Sequence, residues 1–392
     1  MLLCCTDALI LNISSIHPLI VRIDETAELI RKETMIPKTA RLLQIPAPQI
    51  PETIAEKPSN YDKNWQKQHA EALREPEELL QQLALPASLL APAQVASARF
   101  SMCVPGSWVT RIKVGNPDDP LLRQILPVAE ELESSSDFST DPVGDLEARV
   151  LPGLLHKYQG RVLLMTTGAC AIHCRYCFRR HYPYGDDNFL TQLPAILDYI
   201  RADSSIHEII LSGGDPLSLS NERLADLIQQ IQTLPHVKRL RIHTRTPIAL
   251  PGRLDDGLFA VLQAIKLQAI IVIHCNHPNE LDEQVLETLS AMRQCGLTLL
   301  NQSVLLKGVN DDVDILTHLS ERLFSAGVLA YYLHQLDKVE GAQHFEVQDA
   351  RAIALHDTLR QRLPGYLLPK LVREQRGADA KTPLQGVCRN AS

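Results

Sequence analysis

EIILSGGDPLSLSNERLADLIQQIQTLPHVKRLRIHTRTP, residues 208–247, holds one full repeat of the pattern that organises this chain. A β-rich apolar run (EIILSG) gives way to a glycine-bearing loop. NERLADLIQQIQTL follows, with apolar residues at three- and four-residue spacings, and then a second β-rich run (RLRIHT). A strand, a crossover helix and a return to a parallel strand take roughly 30 residues and show this alternation. The unit recurs on both sides. Runs begin near Arg161 (RVLLMTT), Glu208, Arg239, Gln268 (QAIIVIH), Thr298 (TLLNQSV), Leu329 (LAYYLHQ) and Leu367 (LLPKLVR), at intervals of 47, 31, 29, 30, 31 and 38 residues. EQVLETLSAMRQCG and VDILTHLSERLFSAG fill two gaps as amphipathic helices, with Gly296 and Gly327 as stop signals. The pattern predicts an α/β fold: a parallel (β/α) barrel or partial barrel of about six or seven units.

Polar motifs sit just after the strand ends: ACAIHCRYCFRR, SGGDP, HTRTP, HCNHPNE, NQS and HQLDK. In a β/α barrel those loops share one face, on which active sites are built. The long first interval holds Cys170, Cys174 and Cys177 in C-x3-C-x2-C spacing. Three thiolates can bind three irons of a [4Fe–4S] cube and leave the fourth iron open to a ligand. The alternative is a zinc site with His173 or His181 as fourth ligand, although no second cysteine pair of the usual zinc spacing is present.

Composition sets the bounds. The 392 residues correspond to roughly 2.6 domains at about 150 residues each. Thirty-nine basic against 46 acidic residues give a net charge of −7, which argues against a nucleic-acid-coating protein and leaves any local basic patch to a small anion. Nine cysteines, three of them within eight residues, favour a reducing compartment and metal or redox use over a disulfide framework. No charge-free apolar run reaches the length of about 18 residues that would span a membrane. The opening MLLCCTDALILNISSIHPLIV lacks a basic start and is interrupted by Asp7 and His17, so a cytoplasmic location is expected rather than a signal peptide.

Residues 1–60, punctuated by Pro37, Pro46, Pro48, Pro51 and Pro58, read as a disordered lead-in. Residues 61–155 read as a small helical N-terminal domain, with HAEALREPEELLQQL (69–83) as an amphipathic helix and GNPDDPLLRQILP (115–127) as a turn and a short helix. The barrel is expected over 156–375, and a C-terminal segment over 376–392.

The cysteine spacing, with Tyr176 before the last cysteine and Phe178 after it, resembles the signature of the radical S-adenosylmethionine (SAM) enzymes. In that superfamily the open iron chelates SAM, and an electron from a one-electron reductant cleaves it to a 5′-deoxyadenosyl radical. The SGGDP loop (Ser212, Gly213, Gly214, Asp215) is similar to the segment that binds SAM there, where glycine lets backbone approach a ligand. Over roughly residues 60–385, GLLHKYQGRVLLMTTGAC, CRYCFRRH, IILSGGDP, HCNHPNE, LNQSVLLKGVND and YYLHQLDKVEGAQHF resemble the lysine 2,3-aminomutases. GNPDDPLLRQILP and FSTDPVGD resemble in particular the bacterial branch that makes (R)-β-lysine for elongation factor P. The first 34 residues match nothing in that branch, and Met35 is an alternative start.

The resemblance implies an isomerase that uses a [4Fe–4S] cluster, SAM and pyridoxal 5′-phosphate (PLP), with L-lysine as substrate. Lys381 in GADAKTP matches the family's Schiff-base lysine, although Gly377-Ala378-Asp379-Ala380 is poorer in glycine than the family pattern. Lys157, Tyr158 and Arg161 match its PLP-binding segment. Lys157 stands where the aminomutases proper carry arginine, so a bidentate grip becomes a point charge. Arg179 matches the arginine that takes the lysine carboxylate, which suits a planar guanidinium. Asp337 matches one acid that holds the substrate ε-ammonium, and Glu374 stands where a second, usually an aspartate, is found. The implied partners are elongation factor P and its lysyl ligase, with no nucleic acid or membrane, and the family allows a homodimer. A metabolic lysine 2,3-aminomutase is the neighbouring reading. Such enzymes carry extra zinc cysteines, whereas here Asp312 stands where one is expected and the chain stops at Ser392 with only Cys388 nearby. A non-catalytic iron–sulfur or zinc scaffold would have no need of Lys381, Arg179 or Asp337.

Overall fold

Ten β-strands form one sheet in the computed structural model, which describes residues 64–187 and 189–385. The lead-in and the alternative start at Met35 lie outside the described residues. The strands are β1 (Arg149–Leu151), β2 (Leu154–Tyr158), β3 (Arg161–Thr167), β4 (Glu208–Gly213), β5 (Arg239–Thr244), β6 (Gln268–Ile273), β7 (Thr298–Val304), β8 (Leu329–His334), β9 (Lys370–Arg373) and β10 (Thr382–Pro383). Their order in space is their order in the chain. Strands β3 to β9 are mutually parallel. Antiparallel strands flank them, β1 and β2 beside β3 and β10 beside β9. Six of the seven expected strand starts fall on the observed ones. The seventh, expected at Leu367, begins at Lys370, directly after Pro369, which has no N–H to give a ladder.

Six helices make the crossovers: Phe189–Ala202, Asn221–Ile231, Asp256–Gln263, Glu283–Gln294, Val313–Ser325 and Asp349–Arg362. Four begin on side-chain caps that satisfy otherwise orphaned N–H groups: Ser220, Asp255, Asp282 and Asp312. Asp312, expected only as the absence of a zinc ligand, therefore has work of its own at a helix start. Gly327 ends its helix at φ +77°, with Gly327 N–H on Phe324 O and Val328 N–H on Leu323 O, a Schellman closure.

The strands are two-sided. On β4 and β5, Ile209, Leu211, Leu240 and Ile242 enter the core under the helices. The alternate residues Ile210, Ser212, Arg241 and His243 line an interior cavity. This period of two converts a nearly uniform apolar run into an outer packing face and an inner chemical face.

Two expectations change over the N-terminal part. The helix expected over 69–83 is two short helices, Trp65–Ala70 and Pro76–Gln82. Pro76 starts the second one and disfavours helical backbone at Glu75, which is extended. The helical part is also not set apart from the barrel. Leu79, Leu83, Trp108, Leu122 and Ile125 share one core with Ile242 and Ile271 of the sheet, and the end of the expected helical domain, from Arg149 on, forms β1 and the start of β2 in that sheet. Asn60–Ser392 is a single compact unit. Trp108, fully buried, donates its indole N–H to Leu121 O at 3.3 Å. We expect Trp108→Ala to cost about 3–5 kcal/mol and to shift one cooperative urea transition of the whole unit. A separate early transition for the helical part, with the barrel unmoved, would contradict this shared core.

Candidate active site

After β3 the chain enters the cysteine loop, which has no regular structure of its own and takes its shape from its neighbours. Gly214 N–H donates to Thr167 O at 2.6 Å and Asp215 N–H to Ala169 O at 2.8 Å. A Cβ on Gly214 would stand 2.4 Å from Ala169 O. Gly213 sits at φ +115°, and its Cβ would stand 2.6 Å from Thr167 O. The sequence suggests that these glycines open backbone to a ligand; the structure supplies a nearer reason, the contact of one backbone on another. Asp215 also proves to be an anchor. Its buried carboxylate accepts from Thr244 Oγ1 (2.7 Å) and from the N–H groups of Leu217 (3.0 Å), Arg245 (2.8 Å) and Thr246 (3.0 Å).

The helical layer holds the loop from the other side. Arg175 is fully buried and gives Nε and Nη2 to the two Glu131 oxygens at 2.8 and 2.7 Å, and Arg180 shares Glu131 at 2.7 Å. Arg245 reaches from the end of β5 to Cys174 Sγ (2.6 Å), the Tyr176 hydroxyl (2.5 Å) and Gln124 (2.7 Å). Cys170, Cys174 and Cys177 line one wall of a cavity of about 600 Å³ and form no disulfide. Burial, compounded by the neighbouring thiol Cys174, pushes Cys177 up to about 11, and burial raises Cys170 as well. Metal binding has to displace those protons. The imidazoles weighed as zinc ligands engage other partners: His173 Nδ1 lies 2.8 Å from Ser101 O and His181 Nε2 3.1 Å from Glu340 O. Among the described residues no three His, Cys, Asp or Glu side chains converge as a single ion would need. The soft three-thiol set of this loop suits a cluster.

Opposite charges gather elsewhere on the cavity wall. Lys157 and Tyr158 come from β2, Arg161 from β3, Glu374 follows β9, and Lys381 precedes β10. Glu374 Oε1 accepts from Lys157 Nζ and the Tyr158 hydroxyl, both at 3.0 Å, and Oε2 from Lys381 Nζ at 2.5 Å. Burial opposes its charge, yet Lys381 and Lys157 hold its carboxyl well below the carboxylate range. Glu374 thus joins Lys157 and Tyr158 of the expected PLP-binding set to the expected Schiff-base lysine. The Arg161 guanidinium stacks over the Tyr158 ring at 4.7 Å, with no carboxylate partner among the described residues. Lys381 Nζ lies 5.7 Å from the Tyr332 ring centre. Lys157, Arg179 and Lys381 meet Glu374 or Asp145, and Arg161 adds a fourth cation on the same cavity without a carboxylate of its own, an excess of positive charge that fits a phosphate.

Arg179 points its Nε at Asp145 (2.8 Å) and Nη1 at Ser212 Oγ (3.0 Å). Asp337 is half-buried, and its buried Oδ1 is unpaired. Burial and the charge of Glu374 push its carboxyl up to about 7. An unpaired buried acid oxygen of this kind fits an incoming cation. His243, His274 and His334 each leave Nε2 without a protein partner on the same cavity. Burial lowers all three below the ordinary histidine range, so they are neutral donors or acceptors. All fourteen expected site residues therefore line one cavity.

Sequence reasoning missed Asp145, Arg245, Gln302, Tyr332 and these histidines as site residues. Arg245, His274, Gln302 and His334 lie in or beside polar motifs at strand ends, where knowledge of the inward face would have found them. Asp145 lies at no strand end; it closes the FSTDPVGD segment, which the resemblance singled out without giving the acid a role.

The chain matches the model of the radical SAM superfamily over residues 164–319. It is 44% identical to the L-lysine 2,3-aminomutase of Haemophilus influenzae, over 82% of this chain and 95% of that protein. Identity to the L-lysine 2,3-aminomutase of Escherichia coli is 45%, over 83% of this chain and 95% of the other. For that of Clostridium subterminale it is 35%, over 72% and 68%.

Because Gly214 lies against Ala169, Gly214→Ala should displace the cysteine loop and lower stability by about 1–3 kcal/mol. The measurements are iron and sulfide per chain after reconstitution, together with Tm. Normal iron content at an unchanged Tm would show that this backbone contact does not govern the loop.

Proposed function

Since the chain belongs to the lysine 2,3-aminomutase family of radical SAM enzymes, an isomerase family that implies a [4Fe–4S] cluster, SAM and PLP, we propose that it converts L-α-lysine to (R)-β-lysine for the modification of elongation factor P. The observation that carries the reading is a single cavity holding the three thiols, a cation-rich wall with Lys381, and the unpaired acid Asp337.

When bound, the reduced cluster and SAM supply a hydrogen-abstracting radical, and PLP carries the migrating amino group. Cys170, Cys174 and Cys177 would hold the cluster, with Ser212, Gly213 and Gly214 beside it for SAM. Lys157, Tyr158 and Arg161 would take the PLP phosphate, and Lys381 presents the amine that attaches to the cofactor. Arg179 would grip the lysine carboxylate through its remaining N–H groups. Asp337, aided by Glu374, would take the ε-ammonium, so that lysine is held at both ends and its α- and β-carbons are positioned between them. The neutral histidines on the cavity contribute polar groups without adding charge.

Similarity of the GNPDDPLLRQILP and FSTDPVGD segments to the elongation-factor branch supports delivery of the product to that factor's lysyl ligase. The six described cysteines are all free, as the reducing cytoplasm would keep them. No described helix is long and apolar enough to cross a membrane.

Anaerobic reconstitution with lysine, SAM, PLP and a one-electron reductant, followed by chiral product analysis, tests the reaction. Cys174→Ala should lose both cluster colour and β-lysine, while Lys381→Ala should lose bound-PLP absorbance and keep the cluster. Transfer of the product to elongation factor P by its ligase tests the destination; ligation that prefers α-lysine would refute it.

A pH dependence follows from Asp337. Below about pH 7 its carboxyl is protonated and offers an ammonium no opposite charge; above, it is a carboxylate. Lysine KM should therefore fall as pH rises from about 6 to 8, and Asp337→Asn should raise KM and flatten that dependence. An unchanged profile in the variant would remove Asp337 from ammonium recognition.

A further inference from the structure

Two ends of the cavity meet on one carboxylate, that of Asp145, the last residue of the FSTDPVGD segment, to which no role has been given. Asp145 lies in the loop before β1, its side chain 5% exposed. Oδ1 accepts from Lys157 Nζ at 2.9 Å and Oδ2 from Arg179 Nε at 2.8 Å. Its own N–H is held by Asp141 Oδ1 at 2.9 Å, which fixes the turn that presents it. Burial alone would favour the neutral acid, but the Arg179 and Lys157 charges hold the carboxyl below its ordinary value.

We propose that Asp145 is a positioning residue that couples the phosphate end of the PLP pocket to the carboxylate end of the lysine pocket. This rests on the assignment of Lys157 and Arg179 given above. The physical case begins with what each cation lacks. A lysine ammonium is a point charge on a flexible stem, and only its acceptors give it direction. Lys157 has three: Val143 O at 2.8 Å, Asp145 and Glu374. Two of these come from the one Asp145-bearing loop. A guanidinium has two bidentate edges, and the acceptor on Nε decides which remains for a ligand. With Asp145 on Nε and Ser212 on Nη1, Arg179 is left to meet a carboxylate through its Nη1 and Nη2 ends. One rigid acid thus sets the separation and orientation of both cations, and so the relative placement of cofactor and substrate.

A double-mutant cycle on the reconstituted holoenzyme tests this. Bound PLP is read by its visible absorbance and lysine by KM, with iron content and Tm as checks on the fold. D145N should weaken PLP and raise lysine KM, each roughly tenfold, the scale of a charge-assisted hydrogen bond, with iron content unchanged. Added to K157A it should worsen PLP binding little, and added to R179A it should worsen lysine KM little, because each pair acts as a unit. A D145N effect on only one ligand, or full additivity in both cycles, overturns the coupling. If instead K157A leaves PLP binding intact, or R179A leaves lysine KM intact, the assignment of the site fails, which is a separate result. Should D145N not fold, D145E keeps the charge but lengthens the arm; it should shift both constants in the same direction, and a shift in one alone overturns the proposal.

Discussion

The contact of Gly213 and Gly214 with the backbone of Thr167–Ala169 is the constraint on which the site depends. The cysteine loop cannot hold itself, because it lacks helix and strand ladders between Cys170 and Cys177. Parallel pairing of β3 with β4 brings two loop starts side by side, and only glycine lets the second lie flat on the first. From that contact, Asp215 carries the restraint to Thr244, Arg245 and Thr246 at the end of β5. Arg245 carries it back to Cys174. The loop is thus clamped by three successive strand ends and, from the helical layer, by Glu131 on Arg175 and Arg180.

Charge is organised in the same economical way. The chain as a whole is acidic, yet its cavity gathers cations around two carboxylates. Those carboxylates are not neutral spacers. Glu374 ties Lys157, Tyr158 and Lys381, and Asp145 ties Lys157 and Arg179, so the cations cannot drift apart before a ligand arrives. Asp337 is the contrasting acid. It has the same formal charge but no cation in contact, and burial therefore pushes it toward neutrality. Two environments give acids of opposite character within one pocket, one holding basic side chains and the other open to an arriving cation.

Much of this was readable in the residues. Strand starts at Arg161, Glu208, Arg239, Gln268, Thr298 and Leu329 follow from apolar runs of β-formers, and two helix ends from Gly296 and Gly327. Less was readable in the N-terminal part. Leu79, Trp108 and Ile125 make a helical pattern that looks self-sufficient, because amphipathicity records that a face is buried without recording against what. Arg175 would pass in sequence as one more charge in a basic loop, whereas it is fully buried on Glu131, 44 residues earlier.

The sequence by itself determined the parallel α/β architecture, the loop face and the cysteine set, since these rest on short-range periodicity and spacing. The roles implied for Lys157, Arg179, Asp337, Glu374 and Lys381 came from resemblance, and the structure shows that all of them reach one cavity. Only the tertiary structure decided which acid pairs with which cation. Asp145 meets Lys157 from 12 residues away and Arg179 from 34, and Glu374 meets Lys157 across 217. Such pairings are set by how the strands lie beside one another and which side chains turn inward, and no local pattern in the chain encodes either.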